Sequence, residues 1–158
     1  MEFVKDQYDR YDALGRKLTC SFLESHGYTI EPKEKEDYDI DIVAYKDGKR
    51  YFFEVEMKNT AFTNMNSFPY STVSFLDRKK KFSKDHLFFY IIISSKTYGA
   101  LIVRSDKIFK KEYLERLYIN TRERSGEDYF YRIPKELCRF VPPEEFIIKK
   151  DAQDTYLL

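Results

Sequence analysis

The chain has 158 residues, 42% of them hydrophobic and 35% charged, and its 28 Lys and Arg against 27 Asp and Glu leave a formal net charge of +1. A chain of this length is read as one domain over 1–158, with 105–158 as a C-terminal extension, able to bury roughly 70% of its unfolded surface without disulfides. The charge balance excludes a uniformly basic nucleic-acid coat, Cys20 and Cys138 exclude a secreted disulfide scaffold, and no long apolar stretch or leader pattern favours a membrane, so a cytoplasmic protein is expected.

Near the start, Tyr8, Tyr11, Leu14 or Gly15, Leu18 and Phe22 recur at helical spacing, and Leu23 widens the apolar stripe. Gly27 predicts the stop. Tyr28-Thr29-Ile30 then begins the first strand.

The stretch from Asp37 to Lys58 carries the chemistry. Side chains alternate across a strand, so Asp37, Asp39 and Asp41 share one face while Tyr38, Ile40 and Ile42 share the other. The same rule groups Glu54, Glu56 and Lys58 opposite Phe53, Val55 and Met57. Between the two strands, Lys46-Asp47-Gly48-Lys49 carries the Asp-Gly pair of a type I′ hairpin turn. A two-residue loop there sets Asp41 opposite Glu54, Asp39 opposite Glu56 and Asp37 opposite Lys58.

Carboxylates facing carboxylates destabilise a sheet and raise one pKa of each pair, unless a cation lies between them. A divalent metal removes the conflict. Mg²⁺ prefers oxygen ligands and commonly takes one or two carboxylates while keeping waters and phosphate oxygens, so Asp41 with Glu54 or Glu56 is the candidate shell. Lys58 points into the same pocket, where an ammonium can orient water and stabilise charge growing on a phosphate. The plainer alternative is a solvated hairpin face.

Residues 59–70 carry no clean period and are read as a loop beside this edge. Phe62, Phe68 and Tyr70 either stack on unpaired bases or roof a small core. Next, Ser74–Phe82 is read as a short helix bearing Arg78, Lys79, Lys80 and Lys81, a cluster suited to holding a phosphate backbone against the metal.

The run Leu87–Ser94 reads as a strand buried on both faces, at the centre of the sheet. Tyr98–Arg104 follows as another strand, and Ser105 or Asp106 would cap a helix through Ile108, Tyr113, Leu114 and Leu117. Beyond Ile119 come a polar loop, a short strand ended by Pro134 and a short helix from Lys135 to about Phe140. Phe146, Ile147 and Ile148 would dock as a last strand. Arg116, Arg122 and Arg124 form a second basic patch that either extends a DNA track or solubilises the loop. His26 and His86 lack the spacing of zinc ligands.

These residues resemble the PD-(D/E)XK nuclease superfamily, which includes restriction enzymes and Holliday-junction resolvases, over roughly the first two thirds of the chain. In that family an amphipathic helix precedes a hairpin with one aspartate, followed by an acid-x-lysine element. Asp41 or Asp39 matches the aspartate, and Glu56-Met57-Lys58 matches acid-x-lysine. Counted from the turn, Glu54 stands where many relatives place their acid, which leaves Glu56 at the lysine position. Some relatives carry a glutamate on the first helix; Arg16 falls near that place.

The resemblance implies an α/β fold with a restriction-endonuclease-like core, a central mixed β-sheet flanked by helices. It also implies Mg²⁺-dependent hydrolysis of phosphodiester bonds in DNA, with Mn²⁺ as a substitute metal and a homodimer as the working form. Asp41, Glu54 and Glu56 would hold the metal, Lys58 would place the attacking water, and Arg78, Lys79, Lys80 and Lys81 would bind the nucleic acid. The competing expectation is a catalytically inactive nucleic-acid-binding or assembly protein that keeps the nuclease fold.

Overall fold

A computed structural model describes residues 2–32, 40–120 and 125–148 of the chain. The apolar stripe of the first segment winds into a helix, α1 (Glu2–Ser25), whose Leu18, Phe22 and Leu23 are buried. Gly27 ends it at φ 90°: the N–H of Tyr28 donates to the carbonyl of Leu23 at 3.0 Å and that of Gly27 to Glu24 at 3.1 Å. That pair of bonds is a Schellman cap, and it turns the chain directly into β1 (Thr29–Ile30).

The hairpin forms as the Asp-Gly pair requires. Asp47 at φ 52° and Gly48 at φ 74° both lie in the left-handed region of a type I′ turn, joining β2 (Ile42–Lys46) to β3 (Lys49–Lys58). Ile42 pairs with Phe53 and Lys46 with Lys49, so extending that register by one step sets Asp41 against Glu54. Asp37 and Asp39 lie outside the described residues, so the pairings expected for them, with Lys58 and Glu56, are not described.

The run after residue 87 becomes β5 (Phe89–Ser94), with Tyr90, Ile91, Ile92 and Ile93 all 1% exposed or less. It pairs parallel to β3 and antiparallel to β6 (Ala100–Arg104). With β9 (Arg139–Val141) on the far edge, the main sheet is mixed and runs β1-β2-β3-β5-β6-β9. Ile91 and Ile93 pack with Leu18, Phe22 and Phe53 on the α1 face. Tyr90 and Ile92 pack on the other face with Val73, Phe75, Tyr131 and Ile133 of a second sheet. The protein is thus an α/β fold around a central mixed sheet.

That second sheet corrects two helix expectations. Ser74, Phe75 and Leu76, expected in a helix with the cations, belong to β4 (Thr72–Leu76), because Val73 and Phe75 alternate inward at 2% and 1% exposure. The cations follow in a 3₁₀ segment, Asp77–Lys84, none of whose residues is fully buried; the half-buried Phe82 packs against the core, too little apolar surface to hold an amphipathic α-helix. Leu114 and Leu117, expected on a helix after Ser105, lie on β7 (Leu114–Asn120), preceded by single 3₁₀ turns at Ser105–Lys107 and Lys111–Tyr113.

β7 pairs with β8 (Ser125–Pro134), which also pairs with β4 in the order β4-β8-β7. The helix expected from Lys135 to Phe140 is one 3₁₀ turn, Lys135–Leu137, followed by β9, since Phe140 and Val141 pair with Leu101 and Ala100. Phe146, expected in a closing strand, ends α2 (Pro143–Phe146) and is fully buried, 5.0 Å from the ring of Phe22. Residues 149–158 lie outside the described residues.

Candidate active site

β3 belongs to the main sheet, which has α1 on one face and the second sheet on the other, so alternation sends Val55 and Met57 toward α1 and Glu54, Glu56 and Lys58 toward the second sheet. Asp41 sits one residue before β2, where the hairpin ladder ends. Its carboxylate Oδ2 accepts the N–H of Val55 at 2.9 Å, and its own N–H donates to Oε2 of Glu54 at 3.3 Å. Arg16 of α1 approaches the other Asp41 oxygen at 3.9 Å. Asp41 and Glu54 are therefore brought together at the point where β2 and β3 separate.

Glu54 is 3% exposed, and Lys79 of the 3₁₀ segment pairs with its Oε1. Its carboxyl is pushed up to about 7: burial is the largest cause, the Asp41 carboxylate adds to it, and the Lys79 ammonium opposes both without cancelling them. Glu56 accepts the hydroxyl of the buried Tyr90 at 2.7 Å. The Tyr90 phenol is raised far above its ordinary range, first by burial and then by Glu56. Lys58 donates to the backbone carbonyl of Ser74 on β4 at 3.0 Å.

Asp41, Glu56, Lys58, Arg78, Lys79 and Tyr90 line one cleft of about 560 Å³, as do Tyr11 and Asp12 of α1. Glu54 is not among its lining residues. The other two cations of the cluster lie elsewhere: Lys80 over the ring of Tyr131 at 6.0 Å and Lys81 over that of Phe82 at 5.1 Å. Arg116 lies on β7, and Arg122 and Arg124 lie outside the described residues. His26 hydrogen-bonds within α1 and His86 stacks on Phe52 at 4.0 Å, so neither joins the acids. Both cysteines are free thiols.

Among the described residues no three His, Cys, Asp or Glu side chains are grouped to hold a metal ion. The three carboxylates lining the cleft, Asp12, Asp41 and Glu56, are oxygen donors suited to a hard cation that keeps most of its water, and ill suited to zinc. Chemically, the cleft offers negative oxygens from α1, from the residue before β2 and from β3, and three cationic groups from β3 and the 3₁₀ segment.

Sequence reasoning did not single out Tyr90 or the pairing of Lys79 with Glu54. One signal was present for Tyr90: it is the single hydroxyl within the apolar stretch from Leu87 to Ile93. The Lys79 contact carries no local signal, because the crossover from β3 to β5 decides where the 3₁₀ segment lies.

The fold is similar to that of a solved structure, Hjc, a Holliday junction resolvase from the archaeal hyperthermophile Archaeoglobus fulgidus. The two share 13% identity over 77% of this chain and 88% of that chain, with a TM-score of 0.41. No protein-family model and no curated protein matches the chain. Among the described residues no helix is long and apolar enough to cross a membrane.

Proposed function

We propose that the chain is a metal-dependent nuclease with a restriction-endonuclease-like core, hydrolysing phosphodiester bonds in DNA. The observation that carries this reading is the Asp41 and Glu54 pair at the mouth of the β2–β3 hairpin, with Glu54 buried and Lys58, Arg78 and Lys79 gathered at the cleft beside it. An acid pair in that setting, ringed by cations, suits a divalent ion together with a phosphate better than it suits plain solvation.

Asp41 and Glu56 would hold Mg²⁺ from the cleft wall, with Glu54 behind them, and Mn²⁺ would substitute. When bound, the ion supplies charge neutralisation on the phosphate. An ammonium has three donors, and Ser74 takes one of those on Lys58. The remaining two are available to orient the attacking water and a phosphate oxygen. Arg78 and Lys79, entering from the opposite wall, would hold the backbone of the nucleic acid in register.

A second reading has its own support. Glu54 is paired with Lys79, Glu56 with Tyr90, and Asp41 with Val55 N–H and Arg16, a network complete without a metal. It favours a catalytically inactive nucleic-acid-binding or assembly protein with the same scaffold. One experiment separates the two: titrate Mg²⁺ or Mn²⁺ while following thermal stability and cleavage of labelled single-stranded, duplex, flap and four-way DNA. The nuclease raises its melting temperature with metal and cuts at least one substrate; the inactive protein does neither.

A further inference from the structure

Beside the acid cleft lies a second one of about 310 Å³, and Lys58 lines both. Its walls come from the loop 59–71, from β4 and from β8. Thr60, Thr72, Ser74, Tyr70 and Arg132 contribute its polar groups, and no acid lines it. Arg132 stands opposite Ser74 in the β4–β8 register and reaches Glu115 at 3.3 Å, with both side chains more than 40% exposed. An exposed pair of this kind contributes little, so Arg132 is free to exchange it for a phosphate.

Tyr70 is the notable wall. Of the three aromatic side chains in the loop, Phe62 and Phe68 are buried at 1% and 8% exposure, while Tyr70 is 61% exposed. The loop beneath it is anchored. Thr97 donates its hydroxyl to the carbonyl of Phe62, Lys135 donates to the carbonyl of Met65 at 2.9 Å, and Phe68 meets the Tyr70 ring edge-on at 6.0 Å. Gly99 permits the close approach: a Cβ there would come within 2.5 Å of the Phe62 carbonyl oxygen. A large ring displayed on a fixed platform loses little conformational freedom when a second ring stacks on it.

We propose that this second cleft takes one unpaired nucleotide adjoining the reacting phosphate, with its base stacked on Tyr70 and its backbone between Lys58 and Arg132. The substrate class is then nucleic acid with a single-stranded flank, because a base inside an intact duplex presents no free face to a side chain. The inference rests on the nuclease reading in one respect, that a phosphate occupies the cleft at Lys58.

The test measures binding of the full chain, without divalent metal, to a labelled single-stranded DNA oligonucleotide and to a blunt duplex of the same sequence. A 2-aminopurine base is placed at successive positions of the single strand. The single strand binds more tightly than the duplex, one 2-aminopurine position is quenched, and Tyr70→Ala weakens binding about tenfold and abolishes that quenching, while Tyr70→Phe retains both. Tyr70 is exposed, so neither variant disturbs the core.

Single-strand binding by Tyr70→Ala within twofold of the unaltered protein, or tighter binding of the blunt duplex, overturns the inference. Cleavage in Mg²⁺ is scored separately. Cutting by a protein whose binding ignores Tyr70 overturns this inference alone, whereas Tyr70-dependent binding with no cutting of any substrate supports the stacking site and overturns the nuclease reading.

Discussion

Lys79, on the 3₁₀ segment after β4, holds the carboxylate of Glu54 in the middle of β3, where 3% of Glu54 is exposed. The two residues are 25 positions apart, and their contact ties the crossover segment to the sheet it leaves and rejoins.

Breaking one side of that pair leaves a buried carboxylate without its cation. Because Lys79 retains 26% exposure, solvent offsets part of the loss, and Lys79→Met is expected to cost about 1–3 kcal/mol in urea unfolding. Adding Glu54→Gln to Lys79→Met recovers most of it. A single variant as stable as the unaltered protein would show that the pair contributes nothing.

Glu54 also gives the protein a pH signature. Its carboxyl has an ordinary value of 4.5 and is pushed up to about 7 on folding. Between those values the folded state keeps a proton that the unfolded chain has released, so this residue's contribution is fullest below about pH 4.5 and is lost as the pH rises toward 7. Glu54→Gln flattens the curve of unfolding free energy against pH in that window. An unchanged slope would remove Glu54 as its source.

The four consecutive cations are not equivalent, and a salt titration of DNA binding separates them. Arg78 lines the acid cleft, whereas Lys81 lies over Phe82 outside it. Arg78→Gln is expected to lower the slope of log affinity against log salt by about one, the change for one lost phosphate contact. Lys81→Gln leaves the slope within error. Equal slopes for the two variants would mean that DNA follows another path.

Tyr90→Phe removes the hydroxyl that Glu56 accepts at 2.7 Å and leaves the ring in the core. Glu56 lines an open cleft where water replaces the lost donor, so the stability change is about 1 kcal/mol or less. Turnover falls more than DNA affinity, because Glu56 loses its orientation but not its charge. Loss of affinity with turnover intact would place the Tyr90 contact outside the chemistry.

Much of the architecture is written in short-range pattern. The Asp47-Gly48 turn admits one register, and that register alone brings Asp41 to Glu54. Gly27 ends α1 where a left-handed residue is needed, and the unbroken apolar run after Leu87 becomes the interior strand β5. The misread elements, β4, β7 and β9, share a cause: each is defined by a partner elsewhere in the chain. Val73 is a strand residue because Ile133 lies beside it, and Phe140 because Leu101 does. Local spacing at Leu114 and Leu117 resembles a helix, and only pairing with β8 overrides it. Within the cleft, the hairpin acids follow from alternation, but Lys79 and Tyr90 arrive through the crossover and the parallel β3–β5 pairing, which leave no mark at neighbouring positions.

The most direct measurement is single-turnover cleavage of labelled DNA in Mg²⁺ by the unaltered protein, Lys58→Ala and Asp41→Asn, with binding followed in parallel. Cutting is expected to require the metal and to fall at least about a hundredfold in each variant, with the affinity of Lys58→Ala within a few-fold of the original. Cutting at the original rate by Lys58→Ala, or cutting undiminished by removal of divalent metal, would contradict the proposed mechanism.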